Sequence, residues 1–286
     1  VPTIFSDEDT ALINLALRED IGAGDVTTQY FVNEDEQASA RIVAKERAVL
    51  AGGEVAAEVF RRVDPALRAE ILQQDGAILS GGATVLEIRG RARSILTGER
   101  VALNFLQHLS GVATLTHEFV EAAGPNGAKI LDTRKTTPGM RKFEKAAVVA
   151  GGGNNHRFGL HDMVLVKDNH LLARSGVSRL REAIARVRAE QPGLRIEVEA
   201  DDLDQVRALL EIDGVEVILL DNMPAAQMRE AVAIGKGKAK FEASGGINLR
   251  NVRQVAATGV DYVSIGALTH SARAIDFSLE LTHVGA

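Results

Sequence analysis

Apolar residues follow two patterns in this chain, and the change comes near residue 110. Beyond residue 129, the β-branched and aliphatic runs KILDT, MVLVKD, RIEVEA, EVILLD, KFEASG and DYVSIG read as six strands. Between them, Val177, Leu180, Ile184 and Val187 share one helical face, as do Leu203, Val206 and Leu210, and later Leu249, Val252 and Ala256. Asp202 and Asn248 stand where helices need caps, Pro224 suits a first turn, and Gly259 suits a terminator. Strands separated by helices run parallel with right-handed crossovers, which leaves a doubly wound sheet or a β/α barrel. We favour an incomplete β/α barrel of about six parallel strands.

The first 110 or so residues alternate differently. An opening helix presents Leu12, Ile13, Ala16 and Leu17 on one side. Strand-like pieces follow in SARIVAKERAVLAGG, around Ala77 to Leu79 and from Val85 to Ile88, separated by Gly52, Gly53, Gly81 and Gly82. This predicts a small α+β domain. Thr97 is expected to cap a helix carrying Val101, Phe105 and Leu109, with Arg100 in its first turn. A cation there opposes the helix dipole, which makes Arg100 a functional candidate, with Glu99 available to offset it.

Composition narrows the chemistry. At 286 residues with 45% hydrophobic side chains, the chain can bury a substantial core. Its net charge of −6 argues against coating nucleic acid, and the absence of cysteine excludes disulfides, thiolate nucleophiles and Cys-ligated zinc. VPTIFSDEDTALINLALRED lacks a basic start and apolar centre, and no stretch approaches the ~20 apolar residues of a membrane span, so the expected location is cytoplasmic.

Parallel β/α folds bind ligands where strands end. Arg134, Lys135, His156, Arg157 and Lys167 gather at strand ends or in glycine-rich loops, which suits a ligand with several negative charges. Such a cluster is costly when empty, since two unit charges 4 Å apart repel by ~4 kcal/mol at an effective dielectric of 20. ASGGIN, with Ser244, Gly245 and Gly246, and SIGAL, with Ile265, Gly266 and Ala267, offer backbone amides to a phosphate, each before helix-forming sequence. Glu199 and Asp221 end consecutive strands, where carboxylates accept from a ribose diol, hold Mg²⁺ or stabilise a developing cation. His108, His117, His161, His170, His270 and His283 are read as structural. These features fit glycosyl transfer from a phosphorylated ribose to an acidic acceptor. A Schiff-base aldolase working through Lys167 and a catalytically silent phosphoribosyl sensor are the alternatives.

Motifs then carry a family resemblance. ALREDIGAGDVTT, TGERVALNFLQHLSGVAT, LDTRKTTPGMR, GGGNNHRFGL, KDNH, EVEADDLDQ, LLDN, ASGGI and GVDYVSIGALTHS, in this order through nearly the whole chain, resemble quinolinate phosphoribosyltransferase. The resemblance implies that quinolinate and phosphoribosyl pyrophosphate (PRPP) give nicotinate mononucleotide, pyrophosphate and CO₂ with Mg²⁺, in NAD biosynthesis. It implies an N-terminal α+β sandwich domain over 1–109, a barrel over 110–267 and a tail, 268–286, returning to the N-terminal domain. It also implies homodimers with shared active sites. By motif, Thr133, Arg134, His156, Arg157 and Lys167 would bind quinolinate, with Arg100 reaching in from the other subunit. Lys135, Glu199 and Asp221 would serve PRPP and its metal, and Ser244 to Gly246 with Ile265 to Ala267 would hold phosphate. Asn154 and Thr137 depart mildly from the family pattern and touch only loop details.

Overall fold

A computed structural model describes residues 5–125, 127–167 and 176–283. Its contacts divide the chain into two units, Val1–His117 with Thr137–Gly152 and Ser271–Ala286, and Glu118–Thr136 with Gly153–His270. The border expected at 109/110 falls inside one uninterrupted helix, Ala92–Ala123.

The first unit opens with helix Asp7–Ile21, whose Ser6 and Asp9 form a reciprocal capping box and whose Ile13 and Leu17 are buried. Five strands follow, β1 (Gln37–Ala44), β2 (Ala48–Val49), β3 (Arg68–Ile71), β4 (Ile78–Leu79) and β5 (Thr84–Arg91). The final strand of the chain, Phe277–His283, pairs antiparallel with β1, and the sheet continues through β5 to β3. Ala38, Ala40 and Ile42 alternate inward along β1, the period-two pattern of a sheet with one buried face. Against it lies helix Gly53–Val63, burying Val55, Ala56, Val59 and Phe60. Helix Gly53–Val63 and β3 both escaped the sequence reading, β3 because its RAEI alternation is too short to stand out.

Thr97 caps nothing: it lies within helix Ala92–Ala123, and its hydroxyl donates to Asp25 Oδ2 at 3.3 Å. The dipole argument for Arg100 therefore fails, because Arg100 sits past the second turn, where the end effect has faded. Gly111 in the same helix is dictated by packing, since a Cβ there would lie 2.1 Å from the Arg273 carbonyl oxygen.

The second unit holds the six expected strands, all parallel: β6 (Lys129–Leu131), β7 (Val164–Val166), β8 (Ile196–Ala200), β9 (Val217–Asp221), β10 (Lys240–Ser244) and β11 (Tyr262–Ser264). Their order is β7-β8-β9-β10-β11-β6. From β7 to β11 each strand neighbours its successor, and β6, the first, joins β11, the last, the circular order of a barrel rather than of a doubly wound sheet. Among the described residues no ladder joins β6 to β7; there Asn154 bridges to Leu131, so the barrel is incomplete. Asp202 caps helix Leu203–Leu209 by accepting from Gln205 N, and Pro224 stands one residue before helix Ala225–Ile234. Asn248 and Leu249, by contrast, belong to a turn: the helix starts only at Val252, after Asn251, and Leu249 is exposed. The side chain of Val177 and the Asp168 to His170 part of KDNH lie outside the described residues.

Candidate active site

Charged side chains collect at the C-terminal ends of β6 to β11 and trace an arc from strand to strand. Lys167, just past β7, donates to Glu199 Oε2 on β8 at 2.9 Å. Part of the cationic charge is thus neutralised by the protein's own acid, which relieves the repulsion expected of bare cations. Glu199, Asp201 and Asp221 each bring one carboxylate oxygen within 4.8 Å of the others. Asp201 was missed in the sequence, where it reads as one more acid of an EADD run. Oxygen donors at this spacing suit a hard divalent cation, and Glu199, Asp201 and Asp221 are the residues that could hold one.

The arc continues over β10 and β11. Ser264 Oγ donates to Ser244 Oγ at 3.1 Å, tying the two glycine-rich strand ends together. Gly245 and Gly246 have φ of 88° and 62°, left-handed backbone open to glycine and strained for larger residues. Only the second loop leads directly into a helix, Ala267–His270; the first passes through the Asn248 turn, so no helix N-terminus abuts Ser244 to Gly246. Lys135 lies over the second loop, where a Cβ on Gly266 would come within 2.9 Å of its Cδ. Thr269 Oγ1 donates to the Lys135 carbonyl at 2.8 Å. The Thr133 hydroxyl accepts from the Lys135 N–H at 3.0 Å, which orders the loop and leaves its own O–H free to donate.

Arg134 and Arg157 lie near enough for one charge to act on the other: burial lowers the pKa of Arg157 and the Arg134 charge lowers it further, while Glu197 and Asp162 oppose both. Arg157 Nη1 donates to the Met163 carbonyl at 3.3 Å. Guanidiniums are suited to receive carboxylates.

His156 faces inward. Its Nε2 lies 3.1 Å from Glu197 Oε2 and 3.4 Å from Glu242 Oε2, two acids of the barrel interior that are 1% and 2% exposed as side chains. Its backbone N–H donates to buried Asp132 Oδ1 at 2.9 Å, and the Arg157 N–H donates to its Nδ1 at 2.8 Å. Burial disfavours the charged ring, yet the hydrogen bonds and charges of Glu197 and Glu242 outweigh it and raise the pKa to about 9. The Arg157 amide instead asks for a bare Nδ1. Backbone geometry fixes that contact, so we assign the ring proton to Nε2; burial raises the pKa of Glu197. Glu197 Oε1 and Glu242 Oε1 have no hydrogen-bond partner among the described residues. A β/α barrel usually fills these positions with aliphatic side chains, so the acids show only once the inward face is known.

Arg100, on the first unit, is exposed. His108 is structural, its Nε2 lying 2.7 Å from Glu144 Oε1, whereas His170 and the side chain of His283 lie outside the described residues.

A parallel β/α barrel with convergent cations, acids and glycine loops at one set of strand ends is the layout of an enzyme. The kind of enzyme follows from its relatives. Residues 25–110 and 112–280 match the N-terminal and C-terminal domains of quinolinate phosphoribosyl transferase, and the chain belongs to that family. It is 42% identical over 272 residues to a probable carboxylating nicotinate-nucleotide pyrophosphorylase of Bacillus subtilis (strain 168), covering 95% of this chain and 92% of that one. A mitochondrial decarboxylating quinolinate phosphoribosyltransferase 2 of Nicotiana glauca is 42% identical over 287 residues, covering 94% and 81%. Among solved structures, NadC from Streptococcus pyogenes superposes with a TM-score of 0.92 at 42% identity, covering 99% of this chain and 100% of that one.

Proposed function

We propose that this enzyme transfers the 5-phosphoribosyl group of PRPP to quinolinate with loss of CO₂, giving nicotinate mononucleotide and pyrophosphate, the step that feeds NAD biosynthesis. The observation that carries this reading is the gathering of cations at the strand ends: the charge of Arg134 bears on Arg157, and Lys135 lies over the Gly266 loop. The pair suits a dicarboxylate and Lys135 suits a phosphate-bearing partner. Lys167, paired with Glu199, exchanges this acid for a quinolinate carboxylate on binding. Its ion pair also disfavours the aldolase, because an ammonium held by a carboxylate is no nucleophile.

In the reaction, pyrophosphate leaves C1 of the ribose with the bonding pair, and Glu199 and Asp221 stabilise the positive charge that develops on the ring. Lys135 meets the departing anion. Glu199, Asp201 and Asp221 would hold the Mg²⁺ that accompanies PRPP, which would supply further charge neutralisation there. The quinolinate nitrogen donates its lone pair to C1, and the C2 carboxylate leaves as CO₂, its electron pair remaining on C2 beside the quaternary nitrogen until a solvent proton arrives. Ser244 to Gly246 and Ile265 to Ala267 hold the 5-phosphate through backbone amides.

The active unit is a homodimer in which Arg100 of one subunit completes the partner's quinolinate pocket, and the exposure of Arg100 supports this. Mixing Arg100→Ala with Lys135→Ala subunits should restore turnover that neither has alone. We place the enzyme in the cytoplasm, which fractionation of expressing cells tests. The decisive assay combines protein, PRPP, Mg²⁺ and quinolinate and follows CO₂ and nicotinate mononucleotide. No product, or equal turnover with nicotinate, overturns the assignment.

A further inference from the structure

Asn222 is the single non-glycine among the described residues with positive φ, at 52°. Left-handed backbone is unfavourable for most residues and more accessible to asparagine, and it persists where the surrounding structure enforces it. Here the enforcement is visible. The Asn222 N–H donates to the Ser244 carbonyl at 2.9 Å, carrying the β9–β10 ladder one residue beyond the end of β9. This aims the side chain back along the strand ends rather than away from them. Its Nδ2 donates to Asp221 Oδ2 at 2.9 Å, and its Oδ1 occupies the space above Gly245, 2.2 Å from where a Cβ would stand. One exposed amide thus touches both the acid at the end of β9 and the glycine loop at the end of β10.

We propose that Asn222 is a positioning residue that holds the Asp221 carboxylate and the Ser244 to Gly246 loop at a fixed separation, setting the site to the length of a 5-phosphoribosyl group. The inference rests on the assignment of Asp221 to the ribose and of the loop to the phosphate. With Oδ2 engaged by the Asn222 amide, Asp221 turns Oδ1 to its ligand; with Oδ1 of Asn222 over Gly245, the loop is kept from collapsing into the space beside the acid. Glycine at 245 is then required twice, by its φ of 88° and by the volume of the asparagine amide.

The test is a two-residue cycle measured by steady-state kinetics, with PRPP and quinolinate varied separately. Asn222→Gly keeps the backbone conformation and deletes the amide; kcat/KM for PRPP should fall at least tenfold while KM for quinolinate stays within twofold. Gly245→Ala should fall further, and the double variant should recover part of that loss, because the added methyl enters space the amide has vacated. Asn222→Asp, which tolerates the same backbone but cannot donate to Asp221, should resemble Asn222→Gly. Equal changes in both KM values, a drop in melting temperature with unchanged kinetics, or strictly multiplicative single effects would overturn the proposal. Wild-type protein run in parallel separates the outcomes: no wild-type turnover of quinolinate and PRPP removes the functional assignment, whereas wild-type turnover with undisturbed variants removes only the role of Asn222. If Gly245→Ala does not fold, the contrast between Asn222→Gly and Asn222→Asp still decides.

Discussion

Each unit of the molecule sets a histidine against buried glutamate, and the two sites are built differently. In the first unit Glu144 is fully buried and both its oxygens are used, Oε1 by His108 and Oε2 by the Thr137 N–H at 3.1 Å. In the barrel, His156 meets two acids, Glu197 and Glu242, and each leaves an oxygen without a partner among the described residues. A satisfied buried acid holds structure together. An unsatisfied one costs stability, since desolvating a carboxylate takes several kcal/mol that one hydrogen bond does not return, and it persists where chemistry uses its field. Glu197 meets that description: its charge opposes the mutual repulsion of the guanidiniums at Arg134 and Arg157.

The comparison can be broken in several places. The largest expected effect is on the cations that the barrel acids support: Arg157→Ala or Arg134→Ala should lower kcat/KM for quinolinate by ~10² or more at unchanged melting temperature, by loss of a charge-assisted contact. Near-normal kinetics in both would empty the pocket assignment. Next, Glu144→Leu should destabilise the protein by ~2–3 kcal/mol in urea titration, because His108 and the Thr137 amide both lose their acceptor. Glu242→Leu should behave in the opposite way, with stability kept or raised by up to ~1 kcal/mol and turnover reduced, since an unsatisfied acid gives way to a barrel-like aliphatic. If both leucine variants unfold at equally low urea, the distinction between the two histidine sites is wrong.

Exposed pairs in the first unit mark the low end of the scale. The Arg273 guanidinium and then the Asp276 N–H hold the Glu46 pKa down to about 2, from 4.5. A depressed carboxylate stabilises the fold above its unfolded pKa, so this contribution is intact above pH 4.5 and lost as pH falls toward 2. Glu46→Gln should therefore flatten the acid-unfolding curve in that window and leave neutral pH almost unchanged. Smallest of all, Lys45→Ala removes an exposed pair with Glu280 and should shift stability by only ~0–1 kcal/mol in thermal melts.

The barrel was legible because its signals are local. Each strand is a short apolar run, each strand end a polar residue, and helices between strands leave few topologies. Lys167, Glu199 and Asp221 could be picked out for that reason, and the motif order named the family. Other readings failed where a local signal had two meanings. Thr97 looks like a cap because threonine before apolar spacing often is one, yet the preceding ARSI continues the helix and Asp25 takes the hydroxyl. Asn248 looks like a cap for the same reason, but it builds a turn by accepting from Arg250 N at 3.0 Å.

Sequence by itself determined the barrel's strand count, the parallel β/α class, the family and the residue types at the strand ends, all of which follow from short-range periodicity and motif order. Only the tertiary structure decided which way those residues face. It turned His156 inward onto Glu197 and Glu242, closed Lys167 on Glu199, brought Asp201 beside Asp221 and set the Asn222 amide over Gly245. These partners lie as far as 86 positions apart in the chain, from His156 to Glu242, and no periodicity reaches that distance. The closing of strands into a barrel brings them together, and burial then fixes what each charge can do.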